Sequence, residues 1–317
     1  DGIRDCLLSR GLGDVYKRQV PGFGYGKGIG SGSSFQMRGI GSYGIGAAVV
    51  SSLVTNINGH SVGTGQFVDL GFMDIERVEV LKGPQGTLNG RNSVQGVVNL
   101  ITKRPTSEMG GYVDIESGNF DRTLIKGAIN IPISDNISSR VAFMSNQRAG
   151  MVHNANTGND YDDRNDTGIR LSVDWNLSDV TDLKLTYSGQ KSDDNRPQEE
   201  VSFCAQDQFF GCSPYSRGGM NQAADTRGHV AGLFGFYSLI DPGTIVNKYG
   251  PSLAGGFDTL YLDREPTHYQ ESEVTNLELT HELNDDVQMI VKYTYSTRDF
   301  HQMNDNDGSV SNLSLIH

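Results

Sequence analysis

The chain has 317 residues, 36% of them hydrophobic, and 40 are glycine, while 26 basic side chains against 38 acidic ones leave a formal charge of −12. That balance excludes the basic footprint of a nucleic-acid-binding protein. No apolar run approaches the ~18–20 residues of a membrane-spanning helix, and the glycines lack the three-residue period of collagen.

Taken in chain order, the first segment fits nothing that follows it. Residues 1–19, including the run Cys6–Gln19, read as adapter-like sequence, as does 313–317, and both are set aside; no secretory leader is legible in 1–19. From Val20 to Arg104 glycine-rich loops alternate with short apolar runs. Gly22–Gly46 is read as tight turns, because glycine tolerates positive φ. Strands are predicted at Val49–Ile57, Val78–Leu81 and Val97–Ile101, with a turn at Asn58–Gly59 and a short helical turn within Gly65–Asp74.

After Pro105 the side chains alternate strictly. Ile169, Leu171, Val173, Trp175 and Leu177 share one face, and Arg170, Ser172, Asp174 and Asn176 the other. The same period of two predicts strands over Gly111–Ser117, Thr123–Ile133, Ile137–Gln147, Thr167–Leu177, Thr181–Ser188, Val274–Leu283 and Val287–Ser296. Ser134–Asn136, Ser178–Val180 and Asn284–Asp286 are short turns. The alternate connections, about Ala149–Asn165 and Asp193–Gln270, are long. Short turns at one end and long loops at the other describe a membrane barrel. Trp175, Tyr187, Tyr293 and Tyr295 sit on the apolar face, where interfacial aromatics belong. A soluble β-sandwich also alternates, but the connection between the fifth and sixth strands is too long for one. About seven strands without a closing partner leave unsatisfied edges in lipid, so a larger barrel is expected.

The segment Asp74–Ser93, DIERVEVLKGPQGTLNGRNS, then Val97–Pro105, VVNLITKRP, resembles the plug of TonB-dependent outer-membrane receptors. Phe35–Gly41, FQMRGIG, preceded by Val20–Gly22, resembles it too, and the pieces fall in the family's order. The resemblance implies a mostly β protein. A globular α+β plug would span residues 20–105, and the first ~7 antiparallel strands of a ~22-stranded barrel would span 106–312. It implies TonB-dependent uptake of a scarce ligand, most often a ferric siderophore, across the outer membrane of a Gram-negative bacterium. The implied partners are TonB in the periplasm and outer-membrane lipid, with no nucleic acid, no cofactor and no metal site. A surface protein that only binds ligand and a signalling member of the family are the alternatives.

The resemblance also assigns residues. Glu76, Arg77, Gly83, Pro84, Gly86, Gly90 and Arg91 form the plug motif, with Gly83–Pro84 stopping a strand and Gly86 and Gly90 allowing a compact loop. Arg38 and Lys82 match basic residues that pair with barrel glutamates and lock the plug in place; Lys82 stands where arginine is commoner. Phe23, Tyr25 and Tyr43 on the plug, and Phe209, Phe210 and Tyr215 on a loop, are candidate ligand contacts able to stack on an aromatic chelator. Cys204 and Cys212 flank a short segment, either as a loop disulfide or as two thiols.

Other chemistry is weaker. Gly83–Ser93 fails as a phosphate loop, since Arg91 replaces the lysine and a strand follows. The histidines His153, His229, His268, His281 and His301 are scattered without zinc spacing. Asn304–Gly308 and Asn159–Asp166 are acidic enough to suggest a hard cation. No catalytic triad or nucleophile elbow is present, so the chain is not read as an enzyme.

Overall fold

A computed structural model describes residues 20–28, 32–38, 40–41, 53–62, 73–89, 92–154, 157–196, 205–207, 211–213, 259–260 and 264–303. Strands β1 (Phe23–Gly28), β2 (Gly32–Met37) and β3 (Ile40–Gly41) form an antiparallel sheet in that order. This corrects the reading of Gly22–Gly46 as turns. Phe23 and Phe35 stack with ring centroids 5.3 Å apart, and Met37, two residues beyond Phe35, is also buried. That alternation carried the strand signal beneath the glycine composition.

The second sheet contains β4 (Leu53–Ile57), β5 (His60–Ser61), β6 (Ile75–Lys82) and, after the short helix α1 (Gly86–Asn89), β7 (Gly96–Thr102). Its order is β5-β4-β7-β6, with β4 and β7 parallel and the other pairs antiparallel. Val97, Val98 and Leu100 of β7 are fully buried, as suits a central strand whose sequence is a continuous apolar run. Strands stand at all three predicted positions here, residues 49–52 of the first lying outside the described residues, as does most of the helical turn expected within Gly65–Asp74.

Twelve described strands follow, seven of which form a long antiparallel wall: β8 (Gly110–Gly118), β9 (Arg122–Ser134), β10 (Ile137–Arg148), the short β11 (Val152–Asn154) and β12 (Asp160–Tyr161), β13 (Arg164–Ser178), β14 (Thr181–Asp194), the hairpin β15 (Ala205–Asp207) and β16 (Gly211–Ser213), β17 (Thr259–Leu260), β18 (Thr267–Asn284) and β19 (Val287–Met303). The wall has seven strands in the order β8-β9-β10-β13-β14-β18-β19. Each predicted strand is present, and several run further toward the loop end than expected. β18 opens at Thr267 with THYQES, where polar residues occupy both faces and the alternation vanishes.

The wall is inside out relative to a water-soluble sheet. Ile129, Ile131, Leu171, Trp175 and Tyr293 are exposed on one face. Arg140, Arg170, Ser172, Ser272 and Asn276 are buried on the other. The N-terminal domain covers that polar face; Val274 of β18 joins its core beside Phe23, Leu53 and Leu100. A β-sandwich buries its apolar face instead, so that alternative fails. An apolar exterior with a polar, filled interior is the layout of a plugged membrane barrel.

Candidate functional site at the domain interface

Among the described residues, three polar contacts seat the N-terminal domain on the wall. The first is the turn Met73–Asp74, which leads into β6. Asp74 has a positive φ of 52°, and its carbonyl accepts the Lys103 N–H at 3.0 Å, tying the start of β6 to the end of β7. Its carboxylate receives both arms of Arg140 from β10, Nε at 2.6 Å and Nη2 at 2.7 Å. The two side chains are 2% and 7% exposed, so this is a desolvated ion pair. The Tyr112 hydroxyl of β8 donates to the same carboxylate at 3.0 Å, and Arg140 Nη1 donates to Asn130 of β9 at 3.0 Å. Arg170 of β13 donates to the Met73 carbonyl and, through Nε at 3.0 Å, to Ser188 of β14. The Met73 side chain packs against Ala128 and Ala142, whose small size makes room for it. A two-residue turn is thereby fixed by β8, β10 and β13. The bidentate fork is a geometry that only arginine supplies.

The second contact is the segment after β7. Arg104 pairs with Asp174 of β13, Nε lying 3.3 Å from Oδ2. Burial lowers the Arg104 pKa, and the charge of Glu278 partly opposes this. Two residues on, the Thr106 hydroxyl accepts a hydrogen bond from Asn130 at 2.6 Å.

The third is the β4–β5 hairpin. Asn58 and Gly59 both have positive φ, 53° and 76°, the conformation of a type I′ turn and the one that Asn-Gly favours. Asn58 is braced on β7: its Nδ2 donates to the Thr102 hydroxyl and its Oδ1 accepts the Thr102 N–H, each at 2.9 Å. The turn thus presents His60, whose Nδ1 lies 3.0 Å from the Thr294 hydroxyl of β19. A cavity of about 180 Å³ beside it is lined by Asn58, His60, Arg104, Lys184, Asn276 and Glu278. Glu278 is bridged by Lys184 at 3.1 Å and Lys292 at 3.0 Å. Burial, then Lys292, lowers the His60 pKa below its ordinary 6.5; Glu278 opposes this and Arg104 adds to it.

The residues expected from the sequence are distributed differently. Arg38 is exposed at the end of β2, where its N–H donates to the Gly22 carbonyl at 2.6 Å, and Lys82 is exposed at the end of β6. No carboxylate among the described residues pairs with either, and here the interface is built on Asp74 with wall arginines, the reverse polarity. Glu76 and Arg77 are exposed, and Arg77 bridges Glu76 at 2.5 Å and Glu79 at 2.8 Å along its own strand. Gly83 has φ 92° and turns the chain before the exposed Pro84. The following loop is held by backbone bonds, Gly83 N–H to Gln95 at 3.0 Å and Gln85 N–H to Ser93 at 2.9 Å. Gly86 opens α1 without crowding, so the close approach expected there is absent; it falls at Gly96, where φ is 149° and a Cβ would run into the Leu81 carbonyl. Gly90 and Arg91 lie outside the described residues.

Phe23 fills the core of its domain, which corrects its assignment as a ligand contact. Tyr25 lies in β1 opposite Phe35; Tyr43, Phe209, Phe210, Tyr215 and Cys204 are outside the described residues, and Cys212 sits in β16 opposite Gln206. Two carboxylates of the acidic run Asn159–Asp166, suggested by sequence for a hard cation, are taken by arginines. Asp162 takes Arg148 at 2.8 Å and Arg164 at 2.6 Å, and Asp166 takes Arg196 at 2.8 Å. The Asn304–Gly308 run lies outside the described residues. Sequence reasoning singled out none of Asp74, Arg140, Arg170 or His60 as site residues. The available signal was an arginine at mid-strand on each of two neighbouring polar faces, which a buried partner must meet.

Comparison with known proteins agrees with this geometry. Residues 7–97 match the family described as the TonB-dependent receptor plug domain, a span that takes in part of the leader set aside above. The N-terminal part of the chain carries a TonB-dependent receptor plug domain. The metal-pseudopaline receptor CntO of Pseudomonas aeruginosa is 32% identical over 109 residues, 34% of this chain and 15% of that protein. The pesticin receptor of Yersinia pestis is 36% identical over 90 residues, 27% of this chain and 13% of that protein. Among solved structures, the ferric yersiniabactin uptake receptor FyuA from Yersinia pestis superimposes with a TM-score of 0.66 at 16% identity, covering 93% of this chain and 40% of that one. The chain therefore spans well under half the length of these relatives. By this likeness the N-terminal domain corresponds to the plug, and the seven-stranded sheet to barrel wall.

Proposed function

We propose that this chain supplies the plug and the first wall strands of an importer that moves a scarce metal chelate, a ferric siderophore or one like it, across the outer membrane of a Gram-negative bacterium. The carrying observation is the inverted wall. Its bare apolar face suits lipid, and its polar face is closed by a plug fixed at Asp74. A filled lumen blocks free diffusion, so passage needs work on the plug, which TonB in the periplasm would deliver. The names of two relatives, a receptor for metal-pseudopaline and an uptake receptor for ferric yersiniabactin, support a chelate as cargo. This is transport and not catalysis.

The test is uptake of radiolabelled ferric chelates by cells whose only such receptor is the full-length protein, with and without a protonophore and with and without TonB. Energised uptake should vanish in both depleted arms while surface binding persists. Uptake that ignores the proton gradient would overturn the reading.

A further inference from the structure

We infer that the β4–β5 hairpin is a proton-sensitive seat, holding the plug to the wall while His60 is neutral and loosening when His60 takes up a proton. The inference rests on the barrel reading for its sidedness alone. The hairpin differs in kind from the Asp74 contact, which is a dry, paired ion cluster. At the hairpin a single imidazole, 6% exposed, meets β19 through one hydroxyl and borders a polar cavity.

Among the described residues, Lys292, Arg104, Lys184 and Glu278 are the charged groups about that ring. Lys292 of β19 lies so near that a Cβ on Gly59 would stand 2.9 Å from its Nζ. Arg104, already paired with Asp174, and Lys184 of β14 line the same cavity. Glu278 of β18 is the sole carboxylate in the lining, and both of its oxygens are engaged by Lys184 and Lys292. A positive charge on His60 would join three cations in a site whose sole carboxylate is already engaged. The hydrogen bond to Thr294 need not break, since a protonated ring donates and the hydroxyl accepts. What changes is the charge balance.

The direction follows from linkage. Seating lowers the His60 pKa. The seated hairpin therefore binds fewer protons than the released one. Its hold is complete above about pH 6.5, the ordinary value, and weakens as pH falls from there toward the depressed one, below which it levels off. Each unit of depression corresponds to about a tenfold change in the seating equilibrium. The cavity lies in the half of the wall near the tight turns 179–180 and 285–286, four residues beyond the first turn at Lys184 and six beyond the second at Lys292. In an outer-membrane barrel such turns face the periplasm, so the ring equilibrates with periplasmic protons.

The experiment is hydrogen exchange on the full-length receptor in nanodiscs between pH 7.5 and 5, corrected for intrinsic exchange, following the amides of residues 53–62 against those of β6 and β7. Protection of 53–62 should drop several-fold on acidification while β6 and β7 stay unchanged. His60→Gln should flatten the pH profile, and Lys292→Gln, which relieves the repulsion, should move the drop to lower protection loss and higher pH. A selectively labelled His60 ring, titrated by NMR in the unsubstituted receptor, gives a second readout that no folding defect can blur. A His60 pKa at or above 6.5, or a profile identical in His60→Gln, would overturn the inference. Uptake that ignores the proton gradient would sink only the transport reading, and the seat is judged by the exchange and titration results alone.

Discussion

At the residue scale, Asp74 decides more than any other side chain described. Among the described residues it is the only carboxylate meeting Arg140, and both are desolvated. Replacing one partner of such a pair leaves a buried charge without compensation, at a cost of about 3–5 kcal/mol. Asp74→Asn should therefore lower the denaturant midpoint of the plug, read as the onset of proteolysis at residues 73–104, by more than Glu76→Gln, whose carboxylate is exposed. A Tyr112→Phe change removes one neutral-donor bond to that carboxylate and should cost about 1 kcal/mol. Gly96 offers a sharper contrast. Gly96→Ala forces a strained φ and a clash with the Leu81 carbonyl, so it should unseat β7 from β6 and abolish accumulation of folded receptor in membranes, whereas Gly86→Ala, at a site with open space, should be silent. The sequence pointed to the Gly86 neighbourhood because glycine spacing was the visible cue. Crowding at Gly96 depends on β6 lying alongside, which no local pattern records.

At the element scale, the strands were legible and the interface was not. Period-two alternation is a property of each strand alone, so all seven wall strands could be found in β8–β19 without knowing their neighbours. The Asn58–Gly59 turn was equally readable, because a type I′ hairpin demands those residue types locally. The β1–β3 sheet was not, since its glycines mask an alternation that only Phe23, Phe35 and Met37 express. The Asp74–Arg140 pair joins positions 66 residues apart, and its partner was one polar-face residue among many. The outward face makes its own prediction. Ile131 and Leu171 stand exposed on β9 and β13. Ile131→Lys or Leu171→Lys should weaken refolding into liposomes by about 2–4 kcal/mol if the residue lies at mid-bilayer, and Ser172→Lys, on the buried face, should act through the plug instead.

At the scale of the whole molecule, the two faces of the wall impose one environment each. The apolar face calls for detergent or lipid, so diluting detergent below its critical micelle concentration should drive the protein into aggregates, measured by light scattering. The polar face calls for the plug: with Arg140 and Arg170 buried against Met73 and Asp74, a version lacking residues 20–104 would expose both guanidinium groups to water and should lose little barrel stability, while gaining leak conductance in planar bilayers. The wall, in this view, stands on its own ladders, and the plug depends on the wall.

The wall has two margins, β8 and β19, and among the described residues neither carries a neighbour on its outer side. Each margin presents a row of backbone donors and acceptors, which hydrocarbon cannot satisfy. Crossing into the bilayer and sealing the seam are consequently one event and not two. The machinery that delivers such a sheet to lipid has to shelter β8 from the moment it forms until the last strand arrives beside it.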